Sequence, residues 1–155
     1  MKLTDALRGE HAVLYDLFAY LDETIRHSDD TQDVRGAMLV LERLLVSHAR
    51  LEEDLLFPRL EPHLGEMGPL AVMRAEHGRI DGLLDAARQE EDAARLKSLL
   101  GQLLALAQGH FRKEESVLFD MAERFLGGAA LTEMGDQWAA RRNVIIAGQG
   151  CMATR

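Results

Sequence analysis

The chain predicts an all-α fold, an up-down-up-down antiparallel four-helix bundle (residues 1–128) followed by a short C-terminal extension (residues 129–155). Three observations carry that expectation. Apolar residues recur at steps of three, four or seven through four long stretches, the spacing of one buried helix face. Aromatics make up only 5% of the chain, and its three prolines all fall between residues 58 and 69. Finally, His48-Ala-Arg-Leu-Glu-Glu-Asp-Leu-Leu-Phe57 returns as His110-Phe-Arg-Lys-Glu-Glu-Ser-Val-Leu-Phe119, so the chain reads as two related halves.

The first helix is expected from Thr4, a suitable N-cap, to about His27, with Leu7, His11, Leu14, Phe18, Leu21 and Ile25 on its apolar side. A polar connection, residues 28–31, leads to a second helix from about Asp33 to Phe57, whose stripe is Met38, Leu41, Leu45, His48, Glu52 and Leu55. Pro58 should end or kink it, and residues 58–69 read as the longest loop. Pro69 suits the first position of a new helix, which runs from about Leu70 to Glu90 through Leu70, Met73, His77, Ile80 and Leu84. The fourth helix, about Asp92 to Phe125, carries Leu96, Leu99, Leu103, Ala107, His110, Glu114, Val117 and Met121 in register until Gly127-Gly128 stops it. Leu131, Met134 and Trp138 suggest a short fifth helix that covers the bundle. Residues 144–155 show no periodicity and read as a mobile or interface segment.

Composition bounds the partners. A chain of 155 residues with 47% hydrophobic content can bury a core unaided. A formal charge of −8 with no basic stripe argues against a nucleic-acid or anionic-membrane partner; Arg141-Arg142 is too short to count. The single cysteine, Cys151, permits no disulfide within the chain. The amino terminus reaches charge within a few residues, and no apolar run approaches the roughly 20 residues that span a bilayer. A cytoplasmic protein is the expectation.

The chemistry lies in the repeat. Each half reads His, then His-x-x-x-Glu: Glu10-His11 precedes His48 and Glu52, and Glu76-His77 precedes His110 and Glu114. Residues four apart on a helix stack on one face. Counted from one end of the bundle, all four histidines fall about 20–27 Å along their helices, at about 1.5 Å per residue. Four imidazoles and two carboxylates at one level would bury two negative charges with few partners, at a cost of several kcal/mol each. Metal cations would neutralise them. Six ligands exceed what one zinc takes. They suit two iron-type ions that share both carboxylates and keep positions open for water, an oxo or hydroxo bridge or a small gas. A mixed manganese and iron pair has the same ligand chemistry.

These residues resemble the hemerythrin-like (HHE cation-binding) domain, whose signature is His, His-x-x-x-Glu, His, His-x-x-x-Glu on the four helices of a bundle. The resemblance spans residues 4 to about 125. It implies that His11, His48, His77 and His110 are metal ligands and that Glu52 and Glu114 bridge a non-haem di-iron site. Two departures from the oxygen-carrying pattern stand out. Met73 occupies the place of a fifth histidine, and His110 and Glu114 replace a histidine and aspartate spaced one residue further apart. Tyr15, one turn after His11, or water is a candidate for the position that Met73 leaves. Glu10 and Glu76 flank ligands and read as either supporting or solvated. A ferritin-like site would need Glu-x-x-His, which the chain lacks.

Two functions are therefore expected to compete. One is binding or sensing of dioxygen or a related small ligand, or of iron and redox state. The other is a di-iron redox enzyme acting on hydrogen peroxide or nitric oxide, made plausible by the missing fifth histidine. Iron storage has less support, because one two-metal site has no storage cavity.

Overall fold

A computed structural model describes residues 1–65 and 67–145. Its helices are α1 (Leu3–His27), α2 (Thr31–Leu51), α3 (Phe57–Leu64), α4 (Pro69–Gln89), α5 (Ala93–Lys113) and α6 (Phe119–Arg142). Single π-helical turns, Glu52–Leu56 and Glu114–Leu118, weld α2 to α3 and α5 to α6, so four long rods form an all-α four-helix bundle. Rod one packs on rod two and rod three on rod four, and rod one also touches rod four, which closes the ring.

Local chemistry sets most helix ends. Asp30 and Asp92 cap α2 and α5 by accepting from the backbone N–H of Gln32 and Arg95, each at 2.8 Å. Pro69 does open α4. Thr4, however, is not a cap. The helix begins a residue earlier, where Asp5 accepts from the Lys2 backbone, and the buried Thr4 hydroxyl donates to Glu123 at 3.1 Å.

The expected loop over 58–69 is mostly helix. The π turn closes with the Phe57 N–H on the Glu52 carbonyl, a five-residue step, and Pro58 follows in the first turn of α3. A proline there forfeits an N–H that a helix start would leave unpaired anyway, so the rod continues to Leu64 and only four residues connect it to α4. His63 is exposed, as expected, but lies in helix and stacks on Phe125. The second π turn shifts the buried stripe. An extra residue per turn rotates everything beyond Glu114, so Leu118, Phe119 and Ala122 are buried while Val117 is 44% exposed and Met121 half-buried.

Gly127 breaks the fourth rod with φ 73° and ψ 168°, a conformation essentially confined to glycine. The remainder of α6 packs against α1, its last turn reaching Glu10 and Ser47. Leu131, Met134 and Ala139 are buried there. Gly135 lies so close to the Met1 carbonyl that a Cβ would stand 2.1 Å from it. The expected irregular tail falls outside the described residues from 146 onward, Cys151 included.

The core is split in two. One apolar cluster (Leu14, Phe18, Leu41, Leu45, Ile80, Leu103, Phe111 and neighbours) fills one end, and another (Leu3, Leu7, Leu51, Leu56, Leu70, Phe119 and neighbours) fills the other. Between them lies a layer of fully or nearly fully buried polar side chains.

Candidate metal centre

That layer contains His11 from α1, His48 from α2, His77 from α4, His110 from α5, and Glu52 and Glu114, the opening residues of the two π turns. The structure brings all six predicted residues together. They form two groups, His11, His48, Glu52, Glu114 and Glu52, His77, His110, Glu114, within each of which one nitrogen or oxygen per residue lies within 4.8 Å of all the others. Both carboxylates belong to both groups. Glu52 turns one oxygen to His48 Nε2 and the other to His77 Nε2, each at 3.4 Å. Glu114 likewise spans His110 at 3.0 Å and His11 at 3.3 Å. Within each group the two Nε2 atoms face each other at 3.0 Å.

The outer nitrogens explain why every Nε2 points inward. His48 Nδ1 pairs with Glu10, His77 with Glu53 and His11 with Glu115, each at 2.8 Å, and His110 pairs with Glu76 at 3.0 Å. An ionised carboxylate only accepts, so each neutral ring carries its proton on Nδ1 and leaves the Nε2 lone pair for the centre. The four pairs form a closed ring: each rod's glutamate grips the histidine of the next rod. Neighbouring helix residues point about 100° apart. On rods one and three the gripping glutamate precedes the inward residue; on rods two and four it follows it. Because alternate rods run in opposite directions, both placements turn the glutamate to the same side, so one rotational sense serves all four. The repeat also sets the flanking rings, with Phe57 stacked on His77 and its counterpart Phe119 on His11, both at 5.6 Å. Phe111 lies flat on His11 at 3.9 Å.

The electrostatics call for cations. All four oxygens of Glu52 and Glu114 are buried without a hydrogen-bond partner, and the four Nε2 lone pairs converge on them. Eight acceptors without a donor fit metal ions and little else. Without metal the central layer would draw protons strongly. Burial pushes the His48 imidazole down, but Glu52, Glu10 and Glu114 outweigh it and raise it to about 10. Burial likewise opposes, and Glu52 and Glu53 overcome, in raising His77 to about 9. His110 is raised against burial by Glu114. Burial alone would raise the Glu52 carboxyl, yet His48 and His77 hold it well below the usual carboxylate range.

Tyr15 lies beside the site among aromatic rings. Its ring meets His11, Phe18 and Phe111 edge-on, and burial together with the charge of Glu115 raises its phenol. Of the two readings open for Glu10 and Glu76, the supporting one holds: both grip histidines. Sequence reasoning missed their partners Glu53 and Glu115, although the repeat holds the signal: both copies read His-x-x-x-Glu-Glu. Met73 is buried in the apolar cluster at one end of the site. On the opposite side a cavity of about 10 Å³, room for about one water, touches His48, His77 and His110 and is otherwise lined by Leu45, Ile80, Phe111, Val46, Ala49 and Asp81.

Comparison with known proteins agrees with this geometry. The model of the hemerythrin HHE cation binding domain matches residues 2–122. A protein of Nostoc sp. (strain PCC 7120 / SAG 25.82 / UTEX 2576) named DNA nickase is 29% identical over 140 residues, which cover 90% of this chain and 37% of that protein. No solved structure matches significantly.

Proposed function

The chain belongs to the hemerythrin HHE cation-binding domain family, and from that premise we propose that its central layer holds two iron ions and binds or senses dioxygen or a related small ligand, or iron and redox state. His11 and His48 would ligate one ion and His77 and His110 the other, with Glu52 and Glu114 bridging. The observation that carries this reading is the set of four buried carboxylate oxygens without a donor, each carboxylate reaching both imidazole pairs. Four protein donors per ion leave a six-coordinate iron room for exchangeable ligands. The ions would supply Lewis acidity and one-electron redox change. The protein supplies fixed tautomers, a dry apolar surround and an adjacent space of about 10 Å³, which suits a diatomic or peroxide ligand rather than an organic substrate.

Metal analysis with an absorption spectrum tests the centre. Two irons per chain with charge-transfer bands support it; one zinc per chain overturns it, and one manganese with one iron would revise only the metal. The second reading, a redox enzyme consuming hydrogen peroxide or nitric oxide, is favoured by the presence of only two imidazoles in each group. Steady turnover lost in His110→Ala would establish it. Reversible dioxygen binding without peroxide consumption above that of free iron would sink it. Storage is disfavoured by the size of the adjacent cavity. Nicking of DNA is not part of this reading, since the chain spans about a third of that relative and its charge of −8 opposes a polyanion. A cytoplasmic setting suits the single cysteine. Among the described residues no helix is long and apolar enough to cross a membrane.

A further inference from the structure

The two halves of the centre share the same pattern of gripping glutamates but differ in what holds those glutamates. In the second half Glu76, which grips His110, is itself held by Lys113, the residue before Glu114. The repeat aligns Lys113 with Leu51, which is 3% exposed and packed in the apolar cluster, so the first half has no cation of its own for Glu10. That charge arrives from outside the repeat. Arg142, at the end of α6, sets its guanidinium fork on Glu10, Nε to Oε1 at 2.6 Å and Nη2 to Oε2 at 2.8 Å, while Trp138 Nε1 donates to Oε1 at 2.6 Å. Arg142 Nη1 also donates to the hydroxyl of Ser47, next to His48. Glu10 thus accepts from two residues of the C-terminal helix and from the His48 imidazole.

We propose that Trp138 and Arg142 are positioning residues of the metal centre: they fix Glu10, which fixes the His48 imidazole, so the C-terminal helix is coupled to the His11/His48 half of the site. The proposal rests on the two-metal reading above. Packing alone does not account for the arrangement, because Leu131, Met134 and Ala139 already seat the helix through apolar burial and would do so without three donors aimed at one carboxylate. A bidentate guanidinium defines an orientation as well as a charge, and a carboxylate so held can in turn fix the plane of the imidazole it grips. Coupling of this kind is reciprocal, so filling the site also steadies the helix.

The test uses the full chain loaded anaerobically with Fe(II), with release to an excess of a chromogenic chelator followed in time. Arg142→Gln keeps the apolar stem, and Trp138→Phe keeps a ring while losing the N–H. Each is expected to release one of the two ions roughly 10-fold faster than wild type, the lower end of what lost support for a ligand costs. Arg142→Lys should recover part of the loss. Arg141→Gln is the control: Arg141 sits on the same helix and pairs with Asp54 at 2.7 Å on the surface, so its loss should leave release unchanged. Wild-type release rates in both Arg142→Gln and Trp138→Phe overturn the proposal, as does equal acceleration by Arg141→Gln, which would mean that any loosening of the helix suffices. A wild-type chain that retains two ions while the variants behave like it refutes the coupling alone. One that retains none refutes the metal reading and the coupling with it.

Discussion

Replacing Glu52 with glutamine separates what the centre does for metal from what it does for folding. Glu52→Gln preserves volume at a fully buried position and removes one of two charges that each reach both imidazole pairs. In wild type, metal at about 100 times its dissociation constant stabilises the fold by about 2.7 kcal/mol per ion. At about 2–4 °C per kcal/mol for a chain of this size, two ions raise Tm by roughly 10–20 °C. If losing a bridging carboxylate weakens each ion about 100-fold, the same concentration leaves only about 0.4 kcal/mol per ion and a shift under about 4 °C. Without metal, Glu52 is the main counter-charge of the His48 and His77 imidazoles, so the metal-free variant should itself melt lower than metal-free wild type. The assay is a thermal melt of each protein, loaded and stripped, with metal content verified. The difference between the loaded and stripped melts is the readout, which removes any effect of the substitution on folding itself. A wild-type Tm unchanged by verified stripping would refute the reasoning, as would a Glu52→Gln shift equal to that of wild type.

Three further outcomes are expected. Glu53→Gln should lower metal affinity roughly 10–100-fold, measured by competition with a chelator, because the His77 imidazole loses the acceptor that fixes its tautomer; an unchanged affinity would show the ring of glutamates to be incidental. Gly127→Ala should cost about 1–3 kcal/mol in urea unfolding, since the φ of 73° and ψ of 168° are forbidding to a side chain; a neutral substitution would mean that the break between the fourth rod and the C-terminal helix does not need that backbone. Lys2 and Arg8 hold the Glu123 carboxyl at about 2. A depressed folded value contributes stability that is present above about 4.5 and lost as the pH falls through about 2. The melting difference between wild type and Glu123→Gln should therefore be seen at neutral pH and fade in acid; a difference that grows in acid would reverse the assignment.

The four rods and the six inward residues were legible in the sequence, because both follow from one periodicity. A stripe recurring every three or four residues defines a buried face, and a histidine or glutamate in that stripe must be buried with it. The errors occurred where backbone geometry departs from the α-helix. Nothing in Glu52–Leu56 or Glu114–Leu118 announces a π turn, so Pro58 read as a terminator and Val117 as a core residue. The gripping glutamates were half legible. Glu10 and Glu76 stand beside their histidines in the sequence, but the role of Glu53 and Glu115 follows only from the alternating direction of the rods, which turns all four the same way.

His110 and Glu114, with their copies His48 and Glu52, needed only helical spacing and repetition to be recognised as one site, since both are properties of a chain read along its length. Two matters required packing in space: which carboxylate grips which imidazole, and that Arg142 supplies the charge missing at Leu51. Each depends on the approach of residues far apart in sequence, Glu10 and Arg142 by 132 positions. A pattern along one helix carries no record of which other helix will meet it, because that is decided by how all the apolar faces pack at once.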